Sequence, residues 1–121
     1  MATDYTIDLQ KLFLEMMLND AESYVRVQNI FNSENFDKSL REAAKFIETH
    51  TAEYSTMPTA DQINAATGSK LKPVKEATDG HYEWFMSEFE AFTRRQELER
   101  AILKSADLLE KGTYDPVEKL I

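Results

Sequence analysis

Apolar residues recur at helical spacing along most of the chain. The segment at 7–18 is apolar on more than half of its surface, which is typical of a helix buried on several sides. A later stripe is one-faced, because Leu40, Ala43, Ala44 and Ile47 fall at i, i+3, i+4 and i+7. No segment alternates apolar and polar residues for long. The pattern therefore predicts an all-α fold.

Helix-ending and helix-starting residues divide this pattern into short units. Asp20 is placed to begin a short second helix, and a third is expected from about residue 37 to about residue 54. Thr59 and Gln62 have the spacing of a capping box, and Gly68 is expected to end that fourth helix in the left-handed conformation. Residues 70–77 then predict a loop or a single turn begun by a proline.

A long fifth helix is predicted at about 81–111, with Asp79 as its cap and Gly112 as its end. Its first half carries an aromatic stripe consisting of Tyr82, Phe85, Met86, Phe89 and Phe92. Its second half carries another stripe, formed by Leu98, Ile102 and Leu109 and flanked by Ala101 and Ala106. At about 100° per residue, the two stripes lie on nearly opposite faces. We therefore expect the first half to pack in an aromatic core and the second half to leave that core for another partner.

Another helix is predicted to begin at Asp115 and Pro116, with Val117, Leu120 and Ile121 opening an apolar stripe. Only about six residues of it are present, against about 10–14 in a usual globular helix. We expect that the native protein continues or that this chain is a truncated form. The predicted architecture is a compact head of about five helices at 1–95 and, at 96–121, a long helix leading into a truncated helical hairpin.

Composition narrows the class of protein. The 121 residues include 22 acidic and 14 basic ones, for a net charge of −8. Such a balance disfavours nucleic-acid coating and docking on anionic membranes, so direct nucleic-acid binding is expected to be weak or absent. The chain has no cysteine, which excludes disulfides and thiolate metal sites. No apolar run suits a membrane span and no signal peptide is evident, so we expect a soluble cytoplasmic protein.

Catalytic chemistry is not indicated. The chain has no glycine-rich phosphate-binding motif, and neither His50 nor His81 belongs to a metal-binding pattern. We expect His50 to face solvent near the end of a helix and His81 to start one. The many glutamates of the long helix are typical of a solvated face. The aromatic stripe resembles a base-stacking platform, but core packing explains it better. We therefore predict no catalytic residue, metal or cofactor.

Two basic clusters remain as candidate contacts. Arg94 and Arg95 lie where the long helix changes its apolar face. They are possible partner contacts, pairing with carboxylates of a neighbouring subunit or helix, or they form a surface ion pair of little consequence. Lys70, Lys72 and Lys75 form the other cluster, interpreted as a solvated loop or as a contact with a partner or a phosphate.

The order of these motifs resembles the N-terminal domain of a DnaB-type replicative DNA helicase in a bacteriophage-like form. The resemblance spans nearly the whole chain. It rests on the opening helix at 8–20, on Asn35-Phe36 ahead of the helix at 39–47, and on the capped helix at 58–63. The most specific part runs from 92–98 through Ala106 to 114–116, like the arginine-bearing long helix and following turn of that family. Leu40 stands where the family usually has a histidine.

The resemblance implies a non-catalytic module. In such helicases the long helix forms a hairpin with the next helix, and hairpins of neighbouring subunits pack so that the hexamer's N-terminal tier becomes a ring of dimers. Self-association would then be mediated by Leu98, Ile102, Leu109, Val117 and Leu120. Primase and a helicase loader are the implied partners, and the ATPase motor would lie beyond Ile121.

Two alternatives stay open at this point. The helicase-binding domain of a primase has a similar fold, although such a domain would lie at a C-terminus. A small stand-alone acidic regulator of a host protein is the other alternative, against which the abrupt end at Ile121 speaks.

Overall fold

The computed structural model describes residues 5–74 and 78–110, and the regular secondary structure of this part of the chain is all helical, without β-strands. The predicted all-α class is confirmed. Five α-helices and two 3₁₀ turns follow one another in the described residues. The helices are α1 (Ile7–Asn19), α2 (Ala21–Val27), α3 (Arg41–Tyr54), α4 (Ala60–Thr67) and α5 (Asp79–Glu110), and the 3₁₀ turns, Ser33–Asn35 and Lys38–Leu40, lie between α2 and α3.

Side-chain caps set the ends of the short helices, as the sequence predicts. The Asp20 carboxylate accepts hydrogen bonds from the Glu22 N–H at 3.3 Å and from the Ser23 hydroxyl at 2.9 Å, so it begins α2 directly after α1 ends. The capping box of α4 is complete: Thr59 Oγ1 accepts from the Gln62 N–H at 3.1 Å, and Gln62 Oε1 accepts from the Thr59 N–H at 2.8 Å. These contacts satisfy backbone donors that a helix start leaves unpaired.

Gly68 ends α4 at φ 73°, in the left-handed region that glycine adopts without steric cost. The loop that follows is held by Asn64, whose side-chain amide accepts from the Leu71 N–H and donates to the Leu71 carbonyl, both at 2.9 Å. Leu71 is thereby fixed in a buried position. Residues 71–74 form no regular element, and the predicted turn continues outside the described residues at 75–77.

The start of α5 corrects one prediction. The helix begins at Asp79 itself, so Asp79 lies in the first turn rather than at the cap. Thr78 precedes the helix; its carbonyl accepts from the Tyr82 N–H at 3.2 Å, and its own N–H donates to His81 Nδ1 at 2.9 Å. A carboxylate in the first turn is still favourable, because the helix dipole is positive there. The predicted end at Gly112 lies outside the described residues.

The core of the head, which we define as α1–α4 with residues 79–93 of α5, is aromatic. Phe13 of α1 lies at its centre, with ring centroids of Phe85, Phe89 and Phe92 at 5.9, 5.6 and 5.5 Å. The Phe13 and Phe89 rings meet edge to face at 89°, an arrangement favoured by the ring quadrupoles. The predicted aromatic stripe is thus confirmed as core, and Trp84 beside it is 42% exposed.

Gln10 joins the N-terminal segment to the chain before α3. It is buried on α1, where its Nε2 donates to the Tyr5 carbonyl at 2.8 Å and its Oε1 accepts from the Asp37 N–H at 2.6 Å. Asp37 in turn caps the 3₁₀ turn that leads into α3, accepting from the Ser39 N–H at 3.0 Å and the Ser39 hydroxyl at 2.7 Å. The third helix therefore begins with a 3₁₀ turn, and its predicted stripe at Leu40, Ala43, Ala44 and Ile47 is buried.

Candidate functional site

The long helix α5 has two halves with different surroundings. It contains 32 residues, which span about 48 Å at 1.5 Å per residue. In the proximal half, residues 79–93, the side chains of Phe85, Phe89 and Phe92 are fully buried. In the distal half, residues 94–110, Leu98 is 62% exposed and Ile102 is 58% exposed. The distal half therefore carries an apolar surface that no described part of this chain covers.

The exposed residues follow the predicted second stripe. Leu98, Ile102 and Ala106 succeed one another at intervals of four, so they share one face of the helix, and Ala101 beside them is exposed too. The side chain of Leu109 and the whole of Val117 and Leu120 lie outside the described residues. Association with another copy stays a prediction for the five positions Leu98, Ile102, Leu109, Val117 and Leu120.

Leu103 is a further exposed apolar residue that the stripe analysis missed, with 69% of its surface exposed. It follows Phe85 by five turns at about 3.6 residues per turn, so it continues the core-facing side of α5. The head ends before that side reaches Leu103, which leaves the leucine uncovered. An apolar residue in phase with the aromatic stripe is the signal that would have found it. The distal half thus exposes apolar residues on two faces.

The head remains bonded to α5 for about one turn beyond the predicted boundary at 95. Gln96 Nε2 donates to the Asn35 carbonyl at 2.8 Å, and Arg100 pairs with Glu34 at 3.7 Å. Both partners, Asn35 and Glu34, belong to the 3₁₀ turn Ser33–Asn35. This turn therefore fixes the direction in which the distal half leaves the head.

The two arginines predicted as partner contacts lie at the edge of the head. Arg95 pairs with Glu99 of the same helix at 3.4 Å, and its guanidinium carbon lies 5.6 Å from the centroid of the Tyr5 ring. Arg94 borders a shallow depression of about 280 Å³ together with Glu90 and Glu97. Arg95 therefore has partners within the chain, while its predicted contact with a second protein stays a prediction.

Tyr5 carries one of the two pKa shifts resolved in the described residues. Its own burial raises the pKa of the Tyr5 phenol above 10.0, and the Glu88 carboxylate acts in the same direction, whereas Arg95 and Arg94 lower it. The phenol is therefore neutral at physiological pH. The contact with Arg95 is therefore between a cation and the face of a neutral ring, and it depends on the ring quadrupole rather than on a phenolate charge.

The histidines occupy different surroundings from one another. His81 is exposed in the first turn of α5, close to its predicted place. His50 was expected to face solvent, but it is half-buried. It lies between Phe46 and Tyr54, with ring centroids at 5.7 and 4.8 Å. The cause is the spacing of four residues, which places all three rings on one side of α3. Within residues 5–74 and 78–110, no three His, Asp or Glu side chains are grouped so as to hold a metal ion.

The lysine cluster and the glutamates show mostly solvated positions. Lys70 and Lys72 are exposed, and the Lys72 backbone N–H donates to Glu15 Oε2 at 2.6 Å, while Lys75 lies outside the described residues. Glu83 and Glu97 of α5 are exposed, as expected of a solvated face. Among the helices of the described part, none is long and apolar enough to cross a membrane.

Comparison with known proteins found no relative of this chain. No protein-family model matches it, and neither a curated protein nor a solved structure does so. The geometry of α5 and the order of the sequence motifs therefore carry the functional argument by themselves.

Proposed function

We propose that this chain is the N-terminal assembly and partner-docking domain of a replicative DNA helicase and that it has no catalytic activity of its own. The observation that carries the proposal is the exposure of Leu98 and Ile102 on a helix that extends beyond its own head. Contiguous exposed apolar side chains on a folded domain mark interaction surfaces. The order of motifs along the chain, which resembles that of the helicase family, supplies the identity of the assembly.

The size of the exposed surface indicates how such an assembly would hold together. Complete burial of a leucine or isoleucine contributes about 1.5–3 kcal/mol, so Leu98 and Ile102 of two copies contribute at most about 6–12 kcal/mol. Association itself costs about 4–15 kcal/mol in lost freedom of motion. These two positions alone therefore support only weak association. A stable dimer requires further apolar contacts, for which Leu109, Val117 and Leu120 are the predicted source.

Sedimentation equilibrium of the whole chain tests the assembly half of the proposal. We expect the mean mass to rise with concentration, and Ile102→Asp to hold the chain at monomer mass because a carboxylate would be buried in the interface. Ile7→Asp is the matched control: Ile7 is 49% exposed at the start of α1, so the substitution adds the same charge elsewhere. Both variants should melt like the parent at dilute concentration.

Two outcomes would count against assembly through α5. One is a parent chain that stays monomeric at every concentration, and the other is an Ile102→Asp variant that associates as the parent does. The helicase half is tested separately by reading the native gene beyond codon 121. A downstream nucleotide-binding motif of the form G-x-x-x-x-G-K-[ST] is expected in the same frame, and a frame without one would refute the helicase assignment.

A further inference from the structure

A groove lies on the head between the end of α3 and the start of α4, away from the exposed stripe of α5. Its volume is about 660 Å³, and its wall includes Phe46, His50 and Tyr54 of α3 together with Met57 and Gln62. Phe46 and Met57 also pack against the core, but the proposed self-association uses none of these residues. The groove is therefore a surface separate from the exposed stripe of α5.

The three rings along α3 form a ladder with one open end. His50 stacks nearly parallel to Phe46, with 19° between the ring planes, and meets Tyr54 at 47°. Phe46 and His50 are half-buried, whereas Tyr54 is 60% exposed at the last position of the helix. The imidazole supports the phenol ring from one side. The exposed part of the Tyr54 ring is then available to a ligand, and such ring faces attract cations.

The charges around the groove also favour a cation. Glu53 lies on its wall, and among its described lining residues there is no lysine or arginine. The groove borders the carboxyl end of α3, whose last turn carries no basic residue to offset the negative end of the helix dipole. The chain as a whole has a net charge of −8. The Glu53 side chain, the dipole of α3 and the net charge of the chain therefore all attract a cation.

An apolar depression continues from the groove past Thr56 and Met57. It has a volume of about 310 Å³ and reaches Val25 of α2, which is 60% exposed. Ser55 borders this depression in the left-handed conformation, at φ 57°, and its N–H donates to the Thr51 carbonyl at 3.0 Å. A non-glycine residue in this conformation holds a sharp turn at an energetic cost. An anionic aromatic site thus lies next to an apolar one, joined by a fixed turn.

We infer that this groove docks a basic segment of a partner protein, in which an arginine is followed by an apolar residue. The guanidinium lies against the Tyr54 ring and pairs with the Glu53 carboxylate, and the apolar neighbour enters the depression beside Met57 and Val25. Arginine suits such a site better than lysine, because its planar group stacks on a ring while it donates to a carboxylate. The inference rests on the partner-docking half of the proposed function, but it requires neither self-association nor a helicase motor.

Titration of the ¹⁵N-labelled whole chain with the peptide acetyl-GSLRLSG-amide, followed by NMR, tests the inference. We expect saturable shifts confined to amides of α2, the end of α3 and the start of α4. The matched peptide with glutamate in place of arginine should give none. Tyr54→Ala and Glu53→Gln should each weaken arginine-peptide binding about two- to fivefold, the range of an exposed cation–π contact. Both residues are exposed, so both variants should fold.

Several results would overturn the inference. They are the absence of saturable shifts up to millimolar peptide, equal responses to the two peptides, and shifts centred on the distal half of α5. Groove resonances that move with protein concentration alone would assign the groove to a second copy, which also refutes it. Ile102→Asp separates the two proposals, because it should abolish self-association and leave peptide binding unchanged, whereas Tyr54→Ala should weaken peptide binding and leave self-association unchanged.

Discussion

The proximal and distal halves of α5 are helical for different reasons. The proximal half is rich in phenylalanine, tyrosine and tryptophan, which are only moderate helix formers, and it is held by ring contacts with α1. The distal half consists mostly of strong helix formers and has an Arg95–Glu99 pair one turn apart. No glycine or proline occurs at 81–111. Packing thus sets the first half, and local propensity allows the second to extend from the head with its apolar residues uncovered.

The comparison predicts very unequal effects of truncating an apolar side chain in the two halves. Phe89→Ala removes a buried ring that contacts Phe13, Phe31 and Phe85, so we expect a loss of about 3–5 kcal/mol in the free energy of unfolding. Leu98→Ala should change it by no more than about 0.5 kcal/mol at dilute concentration, since the side chain is largely exposed already. Urea unfolding of both variants measures the difference. Similar losses would show that the distal stripe is covered within the monomer.

A second experiment asks whether the head depends on buried polar contacts as well as on rings. Gln10→Met keeps the size of the side chain but leaves the Asp37 N–H and the Tyr5 carbonyl without their partner. We expect a loss of about 1–3 kcal/mol, the cost of burying unsatisfied polar groups. Urea unfolding is again the measurement, with Gln28→Met on the exposed end of α2 as the control. A loss as small as that of the control would mean that water replaces the Gln10 amide.

The smallest expected effect concerns Asp37 and depends on pH. The hydrogen bond from the Ser39 hydroxyl, helped by that from the Ser39 N–H and by Arg41, lowers the pKa of Asp37 below its usual 3.8. Because the folded pKa is the lower one, this stabilisation is complete above pH 3.8 and is lost as the pH falls through the folded pKa. Asp37→Ala should therefore cost about 1 kcal/mol at neutral pH, and less in acid.

Asp37→Asn provides the matched control for that experiment. Asparagine keeps an acceptor oxygen for the cap but cannot ionise, so most of the stability should remain while the acid dependence disappears. Thermal melts from neutral pH to pH 3 measure both variants. An acid dependence that survives in the Asn variant would have to come from another carboxylate.

Much of the fold could be predicted from the sequence, because its signals are local. The caps at Asp20 and Thr59 and the left-handed Gly68 depend on residues within one turn, and the structure has all three. The two errors also concern local contacts, which the pattern of apolar residues does not single out. Asp79 was predicted as the cap of α5, but Thr78 precedes the helix and bonds to His81. His50 was predicted to face solvent, but the aromatic residues four positions away on either side partly bury it.

The candidate site was predictable only in part. Opposite phases of two apolar stripes on α5 predicted that Leu98 and Ile102 would not share the core, and they do not. The extension of the head to Gln96 was not predictable, since it depends on a backbone carbonyl of Asn35 that carries no sequence signal. The partner proposed to cover the stripe is a second molecule, which the pattern of one chain does not identify.

The central place of Phe13 also has a consequence for synthesis of the protein. Its ring partners, Phe85, Phe89 and Phe92, are more than seventy residues later in the chain. Contacts between such distant residues close slowly, and in a growing polypeptide they must wait for the later residues to be made. We therefore expect Phe13 of α1 to lack its ring contacts until the proximal half of α5 has left the ribosome. The exposed stripe emerges from the ribosome after that point, so the head can close before the surface proposed to meet other subunits is available.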